Sequence, residues 1–171
     1  MNPPRQHAQV GGEFALTDHF GRRVTHATYH GRFVLIFFGF SHCKVVCPRA
    51  LARISGALER IDANNGVQPL YITVDPARDT PEVLRAFLES RFPRFTGLTG
   101  STEEIDAVKA AFRVFARRTA DPQNPTGYDM PHTALTYLID PRGRYRVHFA
   151  DTIDEADLAE RLRLEIAGNG I

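Results

Sequence analysis

Residues 33–48 read FVLIFFGFSHCKVVCP, and the character of the sequence changes once within them. The first six are apolar and mostly β-branched or aromatic, without alternation, which predicts a central strand covered on both faces by helices. The segment from Gly39 to Cys47 breaks this pattern, and Pro48 is well placed as the first residue of a helix. We therefore predict a buried strand that leads into a cysteine-bearing loop and then into a helix.

The rest of the chain predicts further strands and helices around this strand. Predicted strands cover residues 69–74, 133–139 and 145–149, and a short N-terminal hairpin covers residues 13–24. Predicted helices follow Cys47, Thr80 and Ser101, and a last helix carries Leu158, Leu162 and Ile166. This order predicts an α/β fold with a mixed central sheet flanked by helices.

Two of the predicted helices begin at recognisable capping residues. Thr80 precedes Pro81, which suits an N-cap followed by a proline in the first turn. Ser101 and Glu104 have the spacing of a capping box. Behind that box we predict a buried apolar stripe at helical spacing, formed by Ile105, Val108, Phe112 and Phe115.

Composition restricts the class of protein. The chain has 171 residues, 43% of them hydrophobic, which predicts one domain over residues 11–171 after a flexible lead-in of residues 1–10. A net charge of only +1 gives no reason to expect nucleic acid or a lipid surface as a partner. The sequence shows neither an apolar stretch of membrane-spanning length nor the zones of a signal peptide. We expect either a cytosolic protein or a chain whose targeting segment has been removed.

The only two cysteines, Cys43 and Cys47, stand four residues apart, which predicts that they act as one unit. Their place before a helix N-terminus, near Lys44 and Arg49, favours thiolates. A structural disulfide would add little stability by closing so short a loop. A zinc site needs about four ligands, and two cysteines are too few. Two thiolates with an imidazole suit copper, and a redox dithiol remains an alternative.

The third ligand of a copper site would be one of seven histidines. His132 follows residues 116–131, which we predict to be a long irregular loop, and begins a predicted strand. It can therefore stand at the same sheet edge as the cysteine loop. His42 adjoins Cys43 and is the competing candidate. Spacing alone does not distinguish a ligand at His132 from a loop histidine bonded to the backbone.

Several segments together resemble the Sco (SenC) family, thioredoxin-fold copper chaperones for cytochrome c oxidase assembly. Residues 38–48 resemble its Cys-x-x-x-Cys-Pro segment. Four other segments also resemble the family: GGEFALTD at 11–18, VDPARDTP at 74–81, FTGLTG at 95–100 and HTALTYLIDPRG at 132–143. The resemblance runs from Gly11 to Ile166 and implies a thioredoxin-like fold.

By this resemblance Cys43, Cys47 and His132 are the ligands of copper, as Cu(I), Cu(II) or both. Asp75 and Asp79 are then acids near the site, although turn and cap chemistry explains both. The chain departs from the family pattern in two places. Lys44-Val45 stands where the family has a proline and then an acid, and Pro131 stands where it has an aspartate that could orient the histidine.

The resemblance implies a metallochaperone, not strictly an enzyme, that passes copper to the dinuclear copper site of a cytochrome c oxidase subunit. The alternative is a thiol–disulfide oxidoreductase with Cys43 and Cys47 as its redox pair, which reduces the cysteines of that copper site. Other copper chaperones and thioredoxin-like reductants are further implied partners. The implied location is the periplasmic side of the bacterial inner membrane, through an anchor that this sequence does not show, or alternatively the mitochondrial intermembrane space.

Overall fold

A computed structural model describes residues 10–43, 46–62 and 66–168. The strands are β1 (Ala15–Asp18), β2 (Arg23–Thr25), β3 (Phe33–Gly39), β4 (Val67–Thr73), β5 (Thr96–Thr99), β6 (Thr119–Asp121), β7 (Asn124–Asp129), β8 (Leu135–Ile139) and β9 (Tyr145–Ala150). The helices are α1 (Val46–Arg60), α2 (Pro81–Glu89), α3 (Thr102–Phe112) and α4 (Glu155–Gly168), with a 3-10 turn at His26–Tyr29. Most of the predicted lead-in, residues 1–9, lies outside the described residues, as do Lys44 and Val45.

Seven strands form one mixed sheet in the order β2-β1-β5-β4-β3-β8-β9. Strands β3, β4 and β5 are parallel, whereas β1 and β8 run antiparallel to their neighbours and β9 pairs with β8 as a hairpin. The predicted N-terminal hairpin is β1–β2. The α/β fold with a mixed, helix-flanked sheet is therefore confirmed.

Strand β3 divides the hydrophobic core into two layers, one on each face of the sheet. Phe33, Leu35 and Phe37 point into a layer with α1, α2 and α4, while alternate residues of the strand point into a layer with α3. Every residue of β3 is buried, as expected of a strand covered on both faces. Within the described residues, no helix has the length and apolar character needed to cross a membrane.

The capping predictions are confirmed, but one residue of the predicted stripe is not buried. Thr80 accepts a hydrogen bond from Val83 N, and Ser101 and Glu104 form the capping box. Helix α3 ends at Phe112 because Arg113 adopts a left-handed conformation with φ of 58°. The chain then leaves the helix direction, so Phe115 is 80% exposed instead of buried.

The prediction of an irregular loop over residues 116–131 is wrong. Strands β6 and β7 form a separate two-stranded sheet within it, with Thr119 paired to Asp129. A single β-bridge between Ala116 and His132 closes the base of this hairpin. The prolines and polar residues of this segment gave no strand pattern, because polar contacts hold the hairpin and its apolar residues do not alternate.

Candidate metal and redox centre

The two cysteines come together at the carboxyl end of β3, where the β3–α1 loop meets α1. Cys43 lies in that loop and is partly exposed, whereas Cys47 lies in the first turn of α1 and is fully buried. The backbone N–H of Cys47 donates to Cys43 Sγ at 3.4 Å, and no disulfide joins the two described sulfurs. The spacing of four residues thus places one accessible and one inaccessible sulfur side by side.

The two sulfurs differ in chemistry as well as in exposure. A hydrogen bond from the Cys47 thiol to the Cys43 sulfur, together with burial, raises the pKa of Cys47 well above its ordinary value. The expectation that both cysteines favour thiolates is therefore wrong for Cys47. Arg49, one of the cations invoked, lies 3.9 Å from Asp151 and pairs with that carboxylate.

This asymmetry predicts the order in which the cysteines react. In the reduced, metal-free protein, a short treatment with iodoacetamide should alkylate Cys43 at least about tenfold faster than Cys47, because thiolate character and access control the rate. Peptide mapping by mass spectrometry measures both sites. In urea the two rates should become similar, and comparable rates in the folded protein would contradict the assignment.

Asp79 holds the loop that carries Cys43. This fully buried carboxylate accepts hydrogen bonds from Ser41 N at 3.0 Å, from the Ser41 hydroxyl and from the Thr73 hydroxyl at 2.7 Å. The backbone N–H of Asp79 donates a hydrogen bond to the Asp75 carbonyl at 2.9 Å, which closes the predicted turn. Turn chemistry is therefore only part of its role, because the side chain ties the cysteine loop to the end of β4.

The same turn also holds the β6–β7 hairpin. Asp75 forms an ion pair with Arg78 and accepts a hydrogen bond from the Tyr128 hydroxyl at 2.8 Å. Arg78 donates to the Tyr128 carbonyl at 2.9 Å and lies over the Tyr128 ring, 3.7 Å from its centre. Sequence reasoning missed Arg78 and Tyr128. The only signal available was the arginine inside the VDPARDTP segment, whose partner lies 50 residues away along the chain.

His132 presents one buried ring nitrogen that makes no hydrogen bond with the described residues. Its Nδ1 lies 3.0 Å from the Met130 carbonyl oxygen, which can only accept, so Nδ1 is assigned the proton. In the neutral ring Nε2 then carries the lone pair. Nε2 is buried, and no atom of the described residues hydrogen-bonds to it. Met130 thus supplies the orienting partner that Pro131 does not.

Aromatic rings place His132 beside the cysteine loop. The imidazole meets Phe37 and Phe40 edge to face, with ring centres 6.5 Å and 5.7 Å apart. Phe37 belongs to β3, and Phe40 opens the loop that leads to Cys43. The structure brings the two cysteines together and sets His132 at the same end of the sheet. Among the described residues, no three His, Cys, Asp or Glu side chains converge closely enough to hold a metal ion as they stand.

Two other histidines have different surroundings. His42 is exposed, with its Nδ1 at 3.3 Å from the Ser41 hydroxyl. His19 is buried, and its Nδ1 accepts a hydrogen bond from Gly97 N at 2.8 Å, while burial lowers its pKa. Neither has a buried, unbonded ring nitrogen like that of His132. His26 Nδ1 is also buried and unbonded, but its ring packs against Phe14 and His30.

Comparison with known proteins gives consistent matches over nearly the whole chain. The sequence model of the family described as SCO1/SenC matches residues 2–167. Protein sco1 of Schizosaccharomyces pombe is 39% identical over 158 residues, which cover 90% of this chain and 60% of that protein. SCO2-like protein RP587 of Rickettsia prowazekii is 37% identical, covering 92% of this chain and 77% of that protein. Further relatives include mitochondrial proteins of yeast and human.

Comparison with solved structures agrees with the sequence matches. Arabidopsis thaliana ScoI, crystallised with copper bound, superimposes with a TM-score of 0.88 at 32% identity, over 93% of this chain and 99% of that one. The chain thus spans nearly all of that structure but about 60% of the fission yeast relative.

Proposed function

This chain belongs to the SCO1/SenC family, and on that basis we propose that it is a copper metallochaperone for cytochrome c oxidase assembly. Cys43, Cys47 and His132 are the proposed ligands. The observation that carries the proposal is His132 Nε2, a buried lone pair with no partner among the described residues, on a ring already oriented through Nδ1. Metal-binding histidines characteristically have this arrangement, with the other nitrogen donating to a backbone carbonyl.

The donor set fits copper as cargo. Thiolate sulfur is the soft donor that selects Cu(I), and imidazole suits both oxidation states. Both thiols must lose their protons to bind, so copper has to displace the hydrogen bond between Cys47 and Cys43. The His132 segment closes the site when Nε2 approaches the sulfurs.

Exposure suggests the route by which copper is handed on. Cys43 is partly exposed and Cys47 is buried, so a donor from the recipient reaches the metal on the Cys43 side. Ligand exchange at that side replaces one bond at a time and keeps copper coordinated throughout. The recipient that we propose is the copper-site subunit of cytochrome c oxidase. Other copper chaperones and thioredoxin-like reductants are proposed as upstream partners.

The location that we propose is the periplasmic side of the bacterial inner membrane, with the domain tethered there, and the alternative is the mitochondrial intermembrane space. The family relatives are both bacterial and mitochondrial.

A thiol–disulfide reductase is the second candidate, and the unequal cysteines favour it. In such a reaction the Cys43 thiolate attacks a substrate disulfide, which releases one substrate thiolate and leaves a mixed disulfide. Cys47, after losing its proton, attacks Cys43 and releases the second substrate thiolate. The substrate gains two electrons, and this chain ends with a Cys43–Cys47 disulfide.

Copper binding by the two redox forms tests the metallochaperone proposal. Titrating the reduced protein with Cu(I) against a competing chelator should give one ion per chain. The oxidised protein should bind none, because sulfurs joined in a disulfide no longer carry thiolate charge. Failure of the reduced form to bind, or equal binding by both forms, would overturn the proposal.

A further inference from the structure

Tyr71 is a phenol enclosed entirely within the core. It lies in β4 opposite Phe37 of β3 and stacks on it, with an interplanar angle of 13°, while Phe87 of α2 packs nearby. The side chain is 0% exposed. A buried tyrosine usually finds a hydrogen-bond partner for its hydroxyl. Here no described atom makes a hydrogen bond of normal geometry with the Tyr71 hydroxyl, and its polar neighbour is the Cys47 sulfur.

The hydroxyl and the buried sulfur of the proposed site interact, and both lie beside Gly39. A Cβ added at Gly39 would lie 2.7 Å from Cys47 Sγ and 2.8 Å from the Tyr71 hydroxyl oxygen. Both atoms therefore occupy the space beside the bare Cα of Gly39. A side chain at this position would clash with both atoms, so glycine leaves free the space that they share.

The charge on the sulfur decides what this contact contributes. A cysteine that binds copper does so as a thiolate, because the metal replaces the thiol proton. A neutral thiol is a weak acceptor, so the Tyr71 hydroxyl gains little from it. A thiolate is a charged acceptor, and hydrogen bonds to charged groups are roughly twice as strong as neutral ones.

We propose that Tyr71 is a positioning residue that donates a hydrogen bond to the Cys47 sulfur when copper is bound there, and so stabilises the loaded form over the metal-free form. The inference rests on the proposed function, since it requires Cys47 to become a thiolate ligand. Hydrogen bonds around a ligand sulfur tune the electronic properties of copper–thiolate sites. In this chain the donor comes from β4, outside the three proposed ligands.

Tyr71→Phe tests this role because it removes the hydroxyl and keeps the ring. Cu(I) affinity, measured by chelator competition, should fall about tenfold, the usual loss when an outer partner of a ligand is removed. The melting temperature of the metal-free variant should equal or exceed that of the parent, since an unsatisfied buried hydroxyl is removed. In the Cu(II) form the sulfur-to-copper absorption should move to longer wavelength, because the sulfur electrons lose a stabilising donor.

Tyr137→Phe is the matched control. Tyr137 is 3% exposed and belongs to the core layer on the opposite face of the sheet from Cys47 and Tyr71. The Tyr137→Phe variant should leave copper affinity and the absorption band unchanged. Unchanged Cu(I) affinity and absorption in Tyr71→Phe would overturn the inference. A variant with lower Cu(I) affinity and a lower melting temperature, but no shift of the absorption band, would also overturn it. Failure of the parent to bind Cu(I) would instead overturn the proposed function.

Discussion

His132→Ala should weaken copper retention by about 10- to 100-fold or more, judged from what the loss of even an outer partner of a metal ligand costs. The variant loses the Nε2 lone pair but leaves both sulfurs in place. Cu(II) should be affected more than Cu(I), because two thiolates alone still satisfy the softer ion of lower coordination number. Thiol–disulfide exchange should stay within a few-fold of the parent, since that reaction uses only Cys43 and Cys47.

Chelator competition with each copper ion, and exchange with a small disulfide, measure these two properties separately. His42→Ala is the matched control, because this exposed histidine adjoins Cys43 and lacks a buried acceptor nitrogen. It should bind copper nearly as the parent does. If His132→Ala also binds both copper ions like the parent, His132 is a structural histidine, and the reductase becomes the better description of the protein.

Asp79→Ala should lower the free energy of unfolding by about 3 kcal/mol, because it leaves the partly buried Ser41 and the buried Thr73 without their acceptor. For a protein of this size, that loss corresponds to a drop in melting temperature of roughly 6–12 °C. The variant should also loosen the loop between β3 and α1. Cys47 should then be alkylated faster in the folded protein, since the loop that shields it is no longer tied to β4.

Urea denaturation and peptide mapping after brief alkylation measure the two effects. Asp140→Ala is the control, because this buried aspartate also accepts backbone hydrogen bonds, from Arg142 and Arg144, but at the β8–β9 turn. The Asp140→Ala variant should destabilise the fold without raising the reactivity of Cys47. Asp79→Asn should be milder than alanine, since one acceptor oxygen remains. An unchanged rate at Cys47 in Asp79→Ala would show that Asp79 does not hold the cysteine loop.

Local features of the sequence predict most of the fold. The uninterrupted apolar run at 33–38 indicates the central strand because a strand covered on both faces needs no alternation. Thr80, Ser101 and Glu104 mark helix starts because a cap acts within one turn. The sequence did not predict the hairpin at 119–129, because Tyr128 is held by partners that lie 50 and 53 residues away along the chain.

The sequence alone determines that Cys43 and Cys47 meet, because four residues across a helix start bring two side chains together whatever surrounds them. It also determines that a mixed sheet carries them at a strand end. The tertiary structure alone decides that Cys47 is buried with a raised pKa, that Tyr71 lies on the same side of Gly39, and that His132 keeps a buried lone pair. Desolvation and contacts between distant segments produce these properties, and neither can be read from spacing along the chain.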